Sequence, residues 1–122
     1  MPKPSILIAD DEELLCELYA ELLSPEYAVV VARDGREALE KALTLPGLRG
    51  LLTDVRMPGV NGLQLTLEVL AQRPEVRAII MSGTDITAHV RRMFPPDRVA
   101  FLVKPFELDA LQQAVWRMFG RR

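Results

Sequence analysis

The stretch ILIADDEE, residues 6–13, decides the fold class. Four apolar residues, Ile6 to Ala9, run without alternation and stop abruptly at Asp10 and Asp11. That profile is a strand buried on both faces that emerges into a polar loop. Behind it Leu14, Leu15, Leu18, Tyr19 and Leu22 recur at helical spacing, and Ser24-Pro25 stops the helix. The unit is strand, acidic loop, helix.

The same unit recurs four more times. Residues 27–32 are β-branched and apolar and read as a second strand, followed by Asp34 as the cap of a helix carrying Ala38, Leu39, Ala42 and Leu43, which Pro46-Gly47 ends. Residues 51–53 lead into Asp54, the loop MPGVNG and a helix with Leu63, Leu67 and Leu70 on one face, closed by Pro74. Residues 78–81 form a fourth strand, and after SGTD a helix places Ile86, Val90 and Met93 at compatible spacing until Phe94-Pro95-Pro96 cuts it short. Residues 99–103 precede Lys104-Pro105 and an amphipathic helix with Leu108, Leu111, Val115 and Met118 inward and Trp116 and Phe119 nearby. Buried strands alternating with helices predict an α/β fold: one doubly wound (βα)5 flavodoxin-like domain, a five-stranded parallel sheet with helices on both faces. The 122 residues suit one such domain spanning 1–122.

Composition narrows the function. With 49% hydrophobic and 26% charged residues the chain reads as an ordinary globular protein, not a disordered one. A net charge of -2 provides no global attraction to nucleic acid or anionic membrane, and the scattered arginines late in the chain are the one candidate for a local basic patch. No apolar run approaches the ~20 residues that cross a bilayer, and no export signal is legible, so a cytoplasmic location is expected. The single cysteine, Cys16, cannot form an internal disulfide and reads as a small buried hydrophobe, which fits a reducing compartment. His89, the sole histidine, falls on the polar side of a short helix and reads as surface.

In parallel sheets of this kind, ligands bind beyond the carboxyl ends of the strands. Those positions hold Asp10 and Asp11, then Asp54, Ser82 and Lys104. Singly each has an ordinary reading: solvated charge at a helix start, a turn residue, a loop hydroxyl, a surface lysine. Together they complement one another. Three carboxylates in one place repel, so the site should hold a proton or attract a cation, and oxygen ligands with room for water suit Mg²⁺. Lys104 offers a point charge for phosphoryl oxygens, Ser82 a hydroxyl and Asp54 a nucleophilic carboxylate. This equipment suits in-line phosphoryl transfer.

At these residues the chain resembles the receiver domains of two-component response regulators, the CheY-like superfamily, over essentially its whole length. ILIADDE is similar to the family's first strand and acidic pair, LLTDVRMPGVNG to its phosphoacceptor strand and loop, IIMSG to its Ser/Thr strand end and FLVKPF to its Lys-Pro motif. The resemblance implies a phosphoryl group accepted on Asp54 and Mg²⁺, or Mn²⁺ in its place, held by Asp11 directly, by Asp10 through water, by Asp54 and by the backbone carbonyl of Arg56. It implies that Ser82 bonds a phosphoryl oxygen and moves toward it, that Lys104 pairs with the acyl phosphate, that the peptide from Lys104 to Pro105 is cis, and that Phe101 occupies an aromatic switch position. Without the resemblance, Phe101 and Trp116 read as packing residues. The donor would be a phosphohistidine of a sensor histidine kinase or histidine phosphotransfer protein, or a small phospho-compound. The output would be an unidentified partner or domain, or a phosphorylation-dependent homodimer, with no direct nucleic-acid or membrane binding. Such a protein is a self-phosphorylating and self-dephosphorylating switch rather than a turnover enzyme.

Two positions depart from, or tune, that pattern. Residues 93–98, MFPPDR, replace the glycine-containing run usual before the fifth strand, and Pro95 and Pro96 should shorten the fourth helix, which belongs to the family's usual output face. Arg56 and Thr84 each lie two residues beyond a key residue, where family members tune dephosphorylation, so Arg56 is expected to screen the acyl phosphate from water. The competing reading is a pseudo-receiver that works by protein contact alone. A flavodoxin-type carrier would need phosphate-cradling donors where Asp10 and Asp11 stand. An aspartate-nucleophile phosphatase would need a second Asp where Arg56 stands.

Overall fold

A computed structural model describes residues 3–120. Five strands and five helices alternate along it: β1 (Ser5–Ala9), α1 (Glu13–Leu23), β2 (Ala28–Ala32), α2 (Gly35–Thr44), β3 (Leu48–Asp54), α3 (Gly62–Gln72), β4 (Arg77–Ser82), α4 (Thr87–Met93), β5 (Val99–Val103) and α5 (Leu108–Phe119). The strands form one parallel sheet in the order β2-β1-β3-β4-β5, the (βα)5 flavodoxin-like arrangement.

Strand side chains alternate between the two faces, so each continuous apolar strand feeds two cores. Leu7, Leu51, Ala78 and Ile80 pack with Ala38, Leu65, Val69 and Val90 of α2, α3 and α4. Ile6, Ile8, Leu52, Ile79 and Met81 pack with Cys16, Tyr19, Leu111 and Val115 of α1 and α5. Burial pushes the Cys16 thiol up to about 11, and its Sγ donates to the Asp10 carbonyl at 3.3 Å, so it is a packed, unreactive thiol.

Side chains cap two of the five helix starts, Asp34 as expected from the sequence. Asp34 accepts from the Glu37 N–H at 2.8 Å at the start of α2, and Asn61 accepts from the Gln64 N–H at 2.9 Å at the start of α3. The helix ends are held differently. Lys3 donates to the carbonyl of Ser24 after α1, Arg73 to those of Ala42 and Leu45 around the end of α2, and Arg98 to Leu70, Arg73 and Val76 around the end of α3. Arg49 and Arg77 donate to Phe119 and Met118 at the end of α5, where the Tyr27 hydroxyl also donates to the Gly120 carbonyl. Each cation satisfies carbonyls that a helix end leaves unpaired and sits at the negative pole of its dipole. Several of the scattered arginines are therefore structural ties.

Several local expectations are corrected. β2 starts at Ala28, because the Tyr27 N–H still bonds the Leu23 carbonyl of α1 while its ring packs in the core. β3 is longer than residues 51–53, starting at Leu48, since Gly50 seats the Phe119 ring where a Cβ would meet it at 2.6 Å. Leu14 (79% exposed), Leu18 (41%), Leu67 (45%) and Leu108 (37%) do not face the core. α1 and α3 carry apolar residues around most of their circumference, and the inward face goes to Cys16, Tyr19 and Leu23 in one and to Leu65, Thr66, Val69 and Leu70 in the other. β5 is an edge strand, and Val103 is exposed. The prolines act as expected: α4 ends at Met93, and the Pro95 carbonyl accepts from the Arg98 and Val99 N–H groups in a tight turn.

Candidate functional site

β1 pairs with β2 on one side and β3 on the other, so successive connections leave in opposite directions and open a hollow beyond their carboxyl ends. Asp10 and Asp11 follow β1, Asp54 ends β3, Ser82 ends β4 and Lys104 follows β5. Backbone bonds lock these ends together: the Val55 N–H reaches the Met81 carbonyl at 3.0 Å, and the Lys104 N–H reaches the Ser82 carbonyl at 2.7 Å.

Asp10 is fully buried and accepts from the Glu12 N–H through Oδ1 at 3.0 Å and from Lys104 Nζ through Oδ2 at 3.1 Å. Lys104 Nζ also lies 3.7 Å from Asp54 Oδ2, while Asp54 Oδ1 accepts from the Val55 N–H at 3.0 Å. Lys104 therefore bridges two carboxylates. Burial works against its cation, but the charges of Asp10 and Asp54 and the hydrogen bond that Lys104 donates to Asp10 prevail and hold its pKa above the ordinary lysine value. Burial raises the Asp54 carboxyl above the usual carboxylate range, with Asp10 adding to the push and Lys104 and the Val55 N–H opposing it. The peptide between Lys104 and Pro105 is cis.

Carboxylate oxygens of Asp10, Asp11 and Asp54 all lie within 4.8 Å of one another. An all-oxygen donor set, with Asp11 exposed to admit water, fits a hard divalent cation such as Mg²⁺. One side of the hollow is lined by Glu12, Asp54, Arg56, Ser82, Gly83, Thr84 and Lys104. Ser82 is buried, and its Oγ accepts from the Thr84 N–H at 3.1 Å. Arg56 and Thr84 thus stand at its mouth. Phe101 is elsewhere, partly buried in a cleft between α4 and α5. His89 is exposed on α4.

Two supports were not singled out in the sequence as site residues. A Cβ at Gly35 would lie 1.7 Å from the Val60 carbonyl oxygen, and one at Gly62 would lie 2.1 Å from that of Asp54. The Gly35 N–H bonds the Pro58 carbonyl and the Gly62 N–H bonds that of Val55, so both glycines clasp the loop after Asp54. Gly62 was legible only as part of the loop motif, and Gly35, directly after a helix cap, carried no signal of its own. Glu12, at the rim, was visible only as part of an acidic run.

Comparison with known proteins supplies a family. The model of the response regulator receiver domain matches residues 6–116. The chain is 34% identical to response regulator RR06 of Streptococcus pneumoniae over 96% of its own length and 54% of that protein. It is 32% identical to transcriptional regulatory protein DegU of Brevibacillus brevis over 93% of its length and 49% of that protein. The chain thus spans about half the length of these curated relatives. Among solved structures, response regulator TrrA of Thermotoga maritima, determined in complex with Mg²⁺-BeF, superposes with a TM-score of 0.79 at 28% identity, covering 94% of this chain and 98% of that one. The non-phosphorylated HemR receiver domain of Leptospira biflexa gives 0.84 at 25% identity, covering 98% and 97%.

Proposed function

Since the chain belongs to the response regulator receiver family of two-component signalling, we propose that it accepts a phosphoryl group on Asp54 in a Mg²⁺-dependent reaction and thereby switches conformation. The observation that carries this reading is the convergence of Asp10, Asp11, Asp54 and Lys104 from three different strand ends on one hollow.

A carboxylate oxygen of Asp54 attacks the phosphorus of a phosphohistidine on a histidine kinase or phosphotransfer protein, or of a small phosphodonor. The phosphorus–nitrogen bond to the donor imidazole breaks, its electron pair leaves with the ring nitrogen, and a mixed anhydride remains on Asp54. Asp11 would hold the cation directly, with Asp10 acting through water and with Asp54 and the Arg56 carbonyl completing the protein ligands. Mg²⁺, when bound, supplies positive charge that offsets the crowded carboxylates and phosphoryl oxygens. Lys104, already between Asp10 and Asp54, would turn its ammonium to a phosphoryl oxygen, and Ser82 would exchange its bond from the Thr84 N–H for a phosphoryl contact. Phe101 is the proposed switch residue that relays this movement toward α4 and α5. The domain does no other turnover; its output passes to a partner, an attached domain or a second copy. TrrA's capture with Mg²⁺-BeF and the naming of several relatives as transcriptional regulators support the reading.

Intact mass measurement after incubation with Mg²⁺ and a small phosphodonor tests it. Wild type gains one phosphoryl group and Asp54→Asn gains none. A wild type that gains nothing even from a phosphorylated kinase would establish the pseudo-receiver reading instead.

A further inference from the structure

Lys104 borders two hollows. One it shares with Asp54, Ser82 and Thr84. The other, of about 420 Å³, is walled by Leu15, Leu18 and Tyr19 of α1 and by the chain from Lys104 to Phe106. Tyr19 is 3% exposed, and its ring stacks on that of Phe106 with centroids 6.0 Å apart and planes 24° from parallel. The stack joins the middle of α1 to the segment that carries Lys104. That segment has little else to hold it. The Lys104 N–H bonds the Ser82 carbonyl at 2.7 Å, but Pro105 has no N–H, Pro105 and Glu107 are exposed, and Phe106 is the side chain that packs into the core. The Tyr19 hydroxyl makes no hydrogen bond among the described residues, and since no buried side-chain polar atom there lacks a partner, it meets water at the hollow. Burial raises its phenol, the charge of Lys104 opposes this and those of Asp10 and Asp54 add to it, so the ring lies within electrostatic reach of the site.

We infer that Tyr19 is a positioning residue for Lys104: its stack on Phe106 fixes the segment from Lys104 to Phe106, so that the ammonium stays aimed at Asp10 and Asp54 and, in the reaction, at the phosphoryl group. For the reaction the inference rests on the phosphoacceptor reading, while the aim of Lys104 is a property of the fold. A lysine stem has many rotamers, and holding its tip 3.1 Å from Asp10 and 3.7 Å from Asp54 needs a backbone that does not shift beneath it. Aromatic rings prefer particular mutual geometries, which gives the Tyr19–Phe106 contact a direction that aliphatic packing lacks. Small misplacements of a reacting group cost rate steeply. The ring carries this role, and the hydroxyl, which reaches water, is dispensable to it. A residue that only filled the core would lose stability on replacement by leucine and leave the lysine as it was.

Two measurements test it. The rate at which acetic anhydride acetylates Lys104, read by peptide mass against Lys3 and Lys41, reports the hold on the ammonium without any phosphoryl transfer. It should rise about two- to tenfold in Tyr19→Leu and stay at the wild-type value in Tyr19→Phe. The rate of phosphorylation by a small phosphodonor should fall by a similar factor in Tyr19→Leu and be rescued in Tyr19→Phe. On a Lys104→Met background the same Tyr19→Leu change should add no further loss, because a residue acting through Lys104 has nothing left to act on. Where Tyr19→Leu does not fold, Phe106→Leu removes the same stack from a half-buried position and should give the same results. Leu18→Ala, at a 41% exposed residue of the same hollow, should behave as wild type in both measurements. Unchanged acetylation in the leucine variants, a Tyr19→Phe that behaves like Tyr19→Leu, or an equal loss with and without Lys104 would overturn the inference. A wild type that takes up no phosphoryl group would instead refute the phosphoacceptor reading, and acetylation alone would then decide whether Tyr19 aims Lys104.

Discussion

At the scale of single residues, the site depends as much on the absence of side chains as on their chemistry. Gly62 approaches the Asp54 carbonyl so closely that a methyl group must move backbone rather than a flexible neighbour. Gly62→Ala is expected to cost about 1–3 kcal/mol in urea unfolding and to slow phosphorylation of Asp54, because the displaced peptide is its own. Gly83→Ala, whose Cβ would meet nothing within 4 Å, should leave stability near wild type and serves as the control. Arg56 acts at the mouth of the same hollow. Under the phosphoacceptor reading its exposed guanidinium shields the acyl phosphate, so Arg56→Ala should speed loss of the phosphoryl group by several-fold in a time course followed by mass. An unchanged rate would remove Arg56 from that role.

At the scale of elements, helix starts and helix ends are secured by different means. Asp34 and Asn61 cap from within three residues, which is why Asp34 was legible as a cap. The ends are tied by side chains remote in sequence, such as Arg98 to the Leu70 carbonyl of α3 and Tyr27, Arg49 and Arg77 to the end of α5. Tyr27 makes this tie sensitive to alkali. Burial raises its phenol above the ordinary value of 10.0, with Glu26 adding to the effect and Arg49 opposing it. The native state therefore prefers the protonated phenol, so its stabilisation is complete below the unfolded pKa and is lost as pH rises through the folded one. Tyr27→Phe should lower stability by about 1 kcal/mol at neutral pH and flatten the decline above pH ~10. The flattening is partial, because Tyr19 is raised by burial as well. Denaturant midpoints measured against pH, with an unaltered slope in the variant as the contrary result, check this.

On the scale of the whole molecule, the sheet gathers three carboxylates from two strand ends into a space that Lys104 only partly neutralises. A cation that binds the folded hollow and not the unfolded chain stabilises the fold by mass action. At Mg²⁺ a hundredfold above its Kd the gain is about 2.7 kcal/mol, seen as a rise of about 10 °C in Tm. Asp11→Asn should lose most of that rise while remaining folded, since Asp11 is exposed. A wild type whose Tm ignores Mg²⁺ would overturn the metal reading and leave the fold assignment intact.

The order of the elements, the doubly wound parallel sheet and the residues at its strand ends were legible in the linear chain, because each rests on local signals: unbroken apolar runs, Pro and Gly punctuation, and the polar residue at which a run stops. Asp10, Asp54, Ser82 and Lys104 could be named because all of them stand at such stops, although each taken singly has an ordinary reading. Local signals did not decide which of the leucines on α1 and α3 face inward, since apolar residues occupy most of the circumference and only packing against the sheet chooses a side. Nor could they assign the arginines. A long side chain finds its partner wherever a helix end happens to lie in space, so Arg73 and Arg98 became ties between distant segments while Arg91 and Arg117 were left facing a cleft. The tertiary structure alone made that division, and with it the bridge that Lys104 forms between Asp10 and Asp54.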